Sequence, residues 1–408
     1  MTLSRSARIG LISAALVAVP GFFLYAQSLD QFVHALLEAG IALAAADRDF
    51  VNYWIGARLV LEGQHLDLFT WSTYLPHLHS VFGPEAPLRN WSYPPHFLLL
   101  IWPLGWLHYE PALILFMTVT AALLVAAVLE FRRNYAPQSD WRILALALVS
   151  FGMMMLDTAQ NGFLTAALMM FGLAWRKQRP VLAGLAFALL TIKPQLGLLI
   201  PVLLAAERRW ITIAWAAAWS VGLVVLSALV FGVSSWSAYL TETLAFQHIV
   251  VTEWYGVFVL MMPTIYGSVR ALGYFPITAF AAQWPITIAG AVILTGLIWT
   301  ERDEMRRAFF TVAGTFIISP YAFNYDMGAL AVLAALLVGS QELRRPAAIA
   351  VGAVATVAAA VMYFGTMSMP VTPLLLMLGV LMVAIDSRSR AGALDQLSLP
   401  GVVVNRAP

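Results

Sequence analysis

The chain contains no cysteine and very little charge. Asp, Glu, Lys and Arg together make up 11% of its 408 residues, against about 25% in a soluble domain. The missing cysteine excludes a disulfide framework, thiolate metal sites and a Cys nucleophile. The scarcity of charge excludes a soluble fold, because 21 acidic and 23 basic side chains cannot cover the surface of a soluble protein of this length. A net charge of +2 leaves no acidic or basic tail and no nucleic-acid surface. Gly-x-Gly-x-x-Gly, Walker A, His-Glu-x-x-His and Ser-elbow motifs are also missing. That argues against a cytosolic nucleotide site and gives no metal site or cofactor to assign.

What is present is apolar. Hydrophobic residues make up 61%, against roughly 45–50% in soluble domains, and the mean hydropathy is +0.81. We expect an all-α polytopic membrane protein forming a single membrane domain over 1–408, with about 11–13 spanning or partly spanning helices. The apolar run Ile9–Tyr25 behind Arg5 and Arg8 looks like a signal peptide. It lacks a small-residue cleavage pattern before Gln27-Ser28-Leu29-Asp30, so it reads as an uncleaved first helix.

Basic residues mark the cytoplasmic side of membrane helices. Here they cluster at Arg5/Arg8, Arg132/Arg133/Arg142, Arg176/Lys177/Arg179, Arg208/Arg209, Arg302/Arg306/Arg307, Arg344/Arg345, Arg388/Arg390 and Arg406. Only Arg48, Arg58, Arg89, Lys193 and Arg270 fall outside these clusters. The apolar runs between clusters then pair as excursions to the outer side and back: 143–156 with 163–175, 181–192 with 195–206, 308–319 with 328–339, and 347–364 with 373–385. The stretch Tyr93–Leu107 reads as a short or re-entrant helix, and 257–272 as an interfacial one.

Several runs are shorter than the about 20 residues needed to cross a bilayer. A helix that stops short exposes backbone at membrane depth, which is tolerated only inside protein or around a water-filled cavity. Anchored by Arg at their cytoplasmic ends, these helices predict a groove in the outer half. Polar residues gather at the same level: Asp157, Gln160 and Asn161; Lys193 and Gln195; and Asn324, Tyr325 and Asp326. Lys193 stands out between Leu189-Leu190-Thr191-Ile192 and Leu196–Ile200. An ionisable side chain at that depth is a functional candidate by default. A compact ammonium suits a lipid phosphate, although a Lys reaching the outer interface would look the same.

The first outer loop, 28–92, is expected to carry juxtamembrane helices. Phe50, Trp54, Ala57 and Leu61 form an apolar stripe, with Asp49 as N-cap and Gly63 as terminator. An Asp in that position is ordinarily structural. His77-x-His79 lacks the company of a metal motif.

Taken in order, these pieces resemble glycosyltransferase family 87, of the GT-C superfamily, which includes polyprenol-phosphate-mannose-dependent mannosyltransferases. The resemblance is carried by Asp-Phe-x-x-Tyr-Trp-x-x-Ala-Arg-x-x-x-Glu-Gly from Asp49, Trp-Ser-Tyr-Pro-Pro from Trp91, Trp102-Pro103-Leu104, Gln160-Asn161, Ile192-Lys193-Pro194 with Arg209-Trp210, and Ser319-Pro320. It implies a GT-C-like fold in the cytoplasmic membrane with an active site facing the periplasm. It implies a polyprenyl-phosphate sugar donor and a glycolipid or glycan acceptor, with Asp49 or its neighbour Asp47 as general base. Lys193 would hold the donor phosphate, with Arg48 or Arg58 beside it. Tyr53, Tyr93, His96, Gln160, Asn161, Gln195, Asn324 and Asp326 complete the expected site. The chain departs from the family pattern after Ser319-Pro320, where Asn324-Tyr325-Asp326 stands in place of a histidine. The enzyme is expected to act as a monomer. A secondary transporter or lipid flippase is the rival reading, because broken helices with polar residues also mark transporters. A non-catalytic scaffold is the third, and it gives no reason for Lys193.

Overall fold

The computed structural model describes residues 48–360 and 371–397, apart from Glu85 and Pro87. The expected first helix, Asp47 and the end of the 347–364 run lie outside the described residues. Among the described residues every regular element is helical. Helix α1 (Phe50–Leu61) is followed by a 3-10 turn (His65–Phe69) and α2 (Trp71–Phe82). Three short pieces (Pro95–Phe97, Leu98–Ile101, Trp102–Trp106) lead to α3 (Tyr109–Tyr135). Next come α4 (Trp141–Thr158), α5 (Gly162–Trp175) and α6 (Pro180–Leu189), the last extended by 3-10 turns at Leu190–Ile192 and Pro194–Gly197. Then follow α7 (Ile200–Ala206), α8 (Trp210–Phe231), α9 (Val233–Ala238), a π turn (Tyr239–Thr243) and α10 (Leu244–Glu253). The chain continues through α11 (Val257–Leu260), α12 (Ile265–Ala271), α13 (Pro276–Thr300) and α14 (Glu304–Ile318). A 3-10 turn (Asn324–Asp326), α15 (Gly328–Gly339), α16 (Arg345–Ala360) and α17 (Val371–Leu397) complete it.

Among the described residues five helices are long and apolar enough to cross a membrane: α3, α4, α8, α13 and residues 372–390 of α17. The chain is an all-α polytopic membrane protein. The shorter helices fall where the apolar runs placed them, and their burial explains their length. Every residue of α15 is buried, and so is all of α5 except Leu164, Phe171 and Trp175. By contrast α8 buries only Thr212, Ser227 and Phe231. Helices α5 and α15 pack on each other, with α3 against α5 and α4 against α15. A helix wrapped by protein need not match the ~30 Å apolar core. Its ends become the floor of an internal site instead. Gly162 lets the start of α5 lie against the Asn324–Asp326 turn, because a Cβ there would collide with the Tyr325 carbonyl.

Helix α1 departs from expectation. It is not an amphipathic surface helix: Phe50 through Ala57 and Leu59 are all buried. The stripe is only one side of a helix packed under 95–106 and α3. Asp49 occupies the N-cap position but makes no side-chain cap hydrogen bond.

The basic clusters fold into ionic knots at helix ends. Arg176 donates to both oxygens of Glu207, at 2.9 and 3.1 Å, with Arg307 at 3.4 Å. The Arg176 guanidinium also lies 4.4 Å from the Tyr135 ring centre. Lys177 pairs with Glu304. A second knot joins Arg306 and Arg390 to Asp386 at 2.8 and 3.1 Å. Burial alone would raise the Glu207 carboxyl. The hydrogen bonds and charge of Arg176, then Arg307 and Lys177, outweigh it and hold the group below its ordinary value.

Candidate active site

The Asp49 carboxylate is held by two donors instead of by its own helix. Its backbone N–H donates to the Thr158 carbonyl at the end of α4, at 3.1 Å. Beyond Thr158, Ala159 takes a left-handed conformation (φ 48°). That reverses the chain and brings Gln160 to Asp49. Gln160 Nε2 donates to Oδ2 at 2.5 Å, and Arg89 Nη1 donates to Oδ1 at 2.7 Å. One turn into α1, the Tyr53 hydroxyl donates to Gln160 Oε1 at 2.7 Å and shares a 2.9 Å hydrogen bond with Tyr93. Asn52, on the same helix, accepts from the Tyr74 hydroxyl. Burial pushes the Tyr74 phenol above its ordinary value, so it remains a donor.

A second part of the same lining is built around Lys193. Pro194 interrupts the helical hydrogen bonding there, leaving Lys193 between two 3-10 turns. Its ammonium donates to Asp326 Oδ1 at 2.6 Å and lies 4.6 Å from the centre of the Tyr325 ring. Thr165 on α5 donates to the same Asp326 oxygen at 3.5 Å. Lys193 is therefore not the lone ammonium the sequence suggests. It is 6% exposed and already paired.

Both parts line one cavity of about 480 Å³. Asp49, Arg89, Gln160, Lys193 and Gln195 are among its polar lining residues, and Trp254, Phe258, Phe280 and Phe323 among its aromatic ones. Of the residues expected from the sequence, Asp49, Lys193, Tyr93, Gln160 and Gln195 reach the cavity. Tyr53 and Asp326 stand one hydrogen bond behind it. Asn161 and Asn324 are buried below, and neither Asn161 side-chain atom has a hydrogen-bond partner among the described residues. His96 is buried elsewhere, 3.2 Å from the Thr191 hydroxyl and stacked on Trp236. Arg58 does not join the site. Its side chain is 48% exposed and pairs with Glu62 one turn away. The His77 ring pairs with Asp67 at 2.8 Å.

Residues missed in the sequence come from three segments. Arg89 was one of the five basic residues outside the clusters, and that exclusion was its signal. Gln247 on α10 donates to the Ser92 hydroxyl at 2.6 Å and accepts from the Tyr321 hydroxyl at 3.1 Å. It thereby ties α10 across the cavity to the chain on either side. His248 and Tyr239 line the same wall. No motif marks them.

A carboxylate and an ammonium thus line one cavity of an all-helical membrane protein. A family model for glycosyltransferase family 87 matches residues 91–320. The chain belongs to glycosyltransferase family 87 and is a membrane glycosyltransferase. The matched span contains Tyr93, Gln160, Lys193 and Pro320, whereas Asp49 precedes it. No curated protein and no solved structure matches the chain.

Proposed function

We propose that the enzyme moves a sugar from a polyprenyl-phosphate donor to a hydroxyl of a glycolipid or glycan, by single displacement with Asp49 as general base. The observation that carries this reading is that Asp49 and Lys193 line one cavity whose walls carry both polar and aromatic side chains. The acceptor hydroxyl gives its proton to the Asp49 carboxylate, and its oxygen bonds the anomeric carbon. The bond from that carbon to the phosphate oxygen breaks, and its electron pair leaves with the phosphate. A positioned base contributes about 10²–10⁴-fold to such a step. Lys193, as a cation on the same cavity, would stabilise the departing phosphate. The aromatic side chains suit the prenyl segment nearest the phosphate. Mannose or another hexose is the sugar that family kinship favours.

The helix directions support the side. Helix α14 starts beside Arg302, Arg306 and Arg307 and leads to Pro320, which lines the cavity. The cavity therefore lies toward the opposite end from the basic cluster. With the basic clusters inside, it faces the periplasmic side of the cytoplasmic membrane. Two experiments test the proposal. Purified enzyme should release polyprenyl phosphate from a synthetic polyprenyl-phosphate hexose and ignore nucleotide-diphosphate sugars; use of the nucleotide sugar alone would refute the donor class. The absence of native cysteine allows single Cys probes at positions 77 and 178, which an impermeant thiol reagent should reach from opposite sides. Labelling from one side would overturn the orientation.

A further inference from the structure

Arg89 has two claimants in this site. Its guanidinium lines the cavity, and its Nη1 holds Asp49 Oδ1 at 2.7 Å. The second cation on the cavity, Lys193, is held by Asp326 at 2.6 Å. Among the described residues each cation thus has a carboxylate partner, and an incoming phosphate must compete for it. The two carboxylates differ in what the reaction does to them. Asp326 does not line the cavity and takes no part in the proton transfer. Asp49, as the base, receives the acceptor proton and loses its charge. In the same step the phosphate goes from diester to monoester and gains charge, since a monoester's second pKa is about 6. A planar guanidinium suits a phosphate better than a carboxylate that has just been neutralised.

We infer that Arg89 is a counter-ion shared in sequence, holding the Asp49 base before transfer and the departing phosphate after it. The inference rests on the proposed donor and base, and it adds a residue with a direction of movement. Arg89 keeps the base oriented while the acceptor binds. It then follows the negative charge across the cavity, so deprotonation and leaving-group departure draw on one cation. Gln160, which keeps its 2.5 Å hydrogen bond to Oδ2, holds the Asp49 side chain in place when Arg89 moves away.

The test is a double-mutant cycle on product binding, which needs no acceptor. The probes are a short-chain synthetic polyprenyl phosphate and the corresponding uncharged polyprenol, measured on the full-length enzyme in detergent. Asp49→Asn imitates the protonated base. It should tighten polyprenyl phosphate about tenfold or more, the scale of one hydrogen bond between charged groups, and leave polyprenol unchanged. In the Arg89→Gln background the same Asp49→Asn change should gain less than about threefold, since only direct repulsion of the phosphate is then relieved. Arg89→Lys should keep part of the coupling.

Equal tightening with and without Arg89 would overturn the shared role. So would equal loss of both probes in Arg89→Gln, which is the outcome if Arg89 only fastens the 83–94 segment to α1. A wild-type enzyme that binds polyprenyl phosphate no better than polyprenol would refute the donor reading together with this one. Binding without coupling would refute only this one.

Discussion

The Glu207 knot and the Asp49–Lys193 cavity use the same side-chain types to different ends. In the knot, Arg176 covers both oxygens of Glu207 and is itself fully buried, with Arg307 close by. Cations outnumber the carboxylate, and the groups close on one another. In the cavity, among the described residues, Asp49 meets Arg89 and Asp326 meets Lys193, and all but Asp326 of these four groups line a space of about 480 Å³. The knot joins the end of α5 to the turn before α8 and to α14. The cavity pairs leave their charge within reach of a third partner. The contrast separates ion pairs that close on one another from ion pairs that border a cavity, and only the second kind can meet a ligand.

The largest break in that comparison should come at Asp49. Asp49→Asn keeps the shape and the Gln160 neighbour but removes the base. Turnover of a polyprenyl-phosphate sugar should fall about 10²–10⁴-fold with the melting temperature nearly unchanged. Wild-type turnover would move the role to Asp47 or end it.

A smaller effect of the opposite kind is expected at Glu207. Glu207→Gln removes the charge that two buried or half-buried guanidinium groups share. It should cost about 1.5–3 kcal/mol of stability and leave turnover per folded molecule unchanged. The pH dependence follows from the lowered carboxyl value. A group depressed in the folded state contributes stability above its unfolded value, and that stability is lost as pH falls through the folded value. The wild-type melting temperature should therefore drop on acidification below about 4.5 more steeply than that of Glu207→Gln. Parallel curves would contradict the assignment.

The smallest effect belongs to Arg58, the basic residue that the motif suggested and the fold turns outward. An exposed i,i+4 pair with Glu62 is worth at most about 0.5 kcal/mol. Arg58→Ala should leave donor KM and stability within error, and a raised KM would bring the residue back into the site.

Much of this arrangement could be read from the sequence because membranes restrict what charge can do. The Arg clusters bracket the helix pairs, and of the five basic residues outside them Lys193 stands out in the sequence whereas Arg89 does not. The order of short motifs gave the family. What could not be read was long-range pairing. The apolar stripe on α1 looks the same whether the other side faces water or protein, so its burial beneath 95–106 was hidden. Lys193 and Asp326 are 133 residues apart, and no local pattern couples them. Arg58 and Arg89 look alike as basic residues of the first loop; only the fold decides which one turns inward. Gln247 and Tyr321 entered the site through tertiary contact alone.

The most direct measurement neutralises the cavity pair as a unit. Lys193→Ala alone would leave Asp326 buried and unpaired, at a cost of about 3–5 kcal/mol, which would confuse folding with function. The double variant Lys193→Met with Asp326→Asn removes both charges together. Its melting temperature and its transfer from a synthetic polyprenyl-phosphate hexose should be measured side by side. The account predicts a melting temperature close to wild type and a loss of transfer with weakened donor binding. Wild-type transfer in that variant would contradict it, and would place Lys193 with the structural knots.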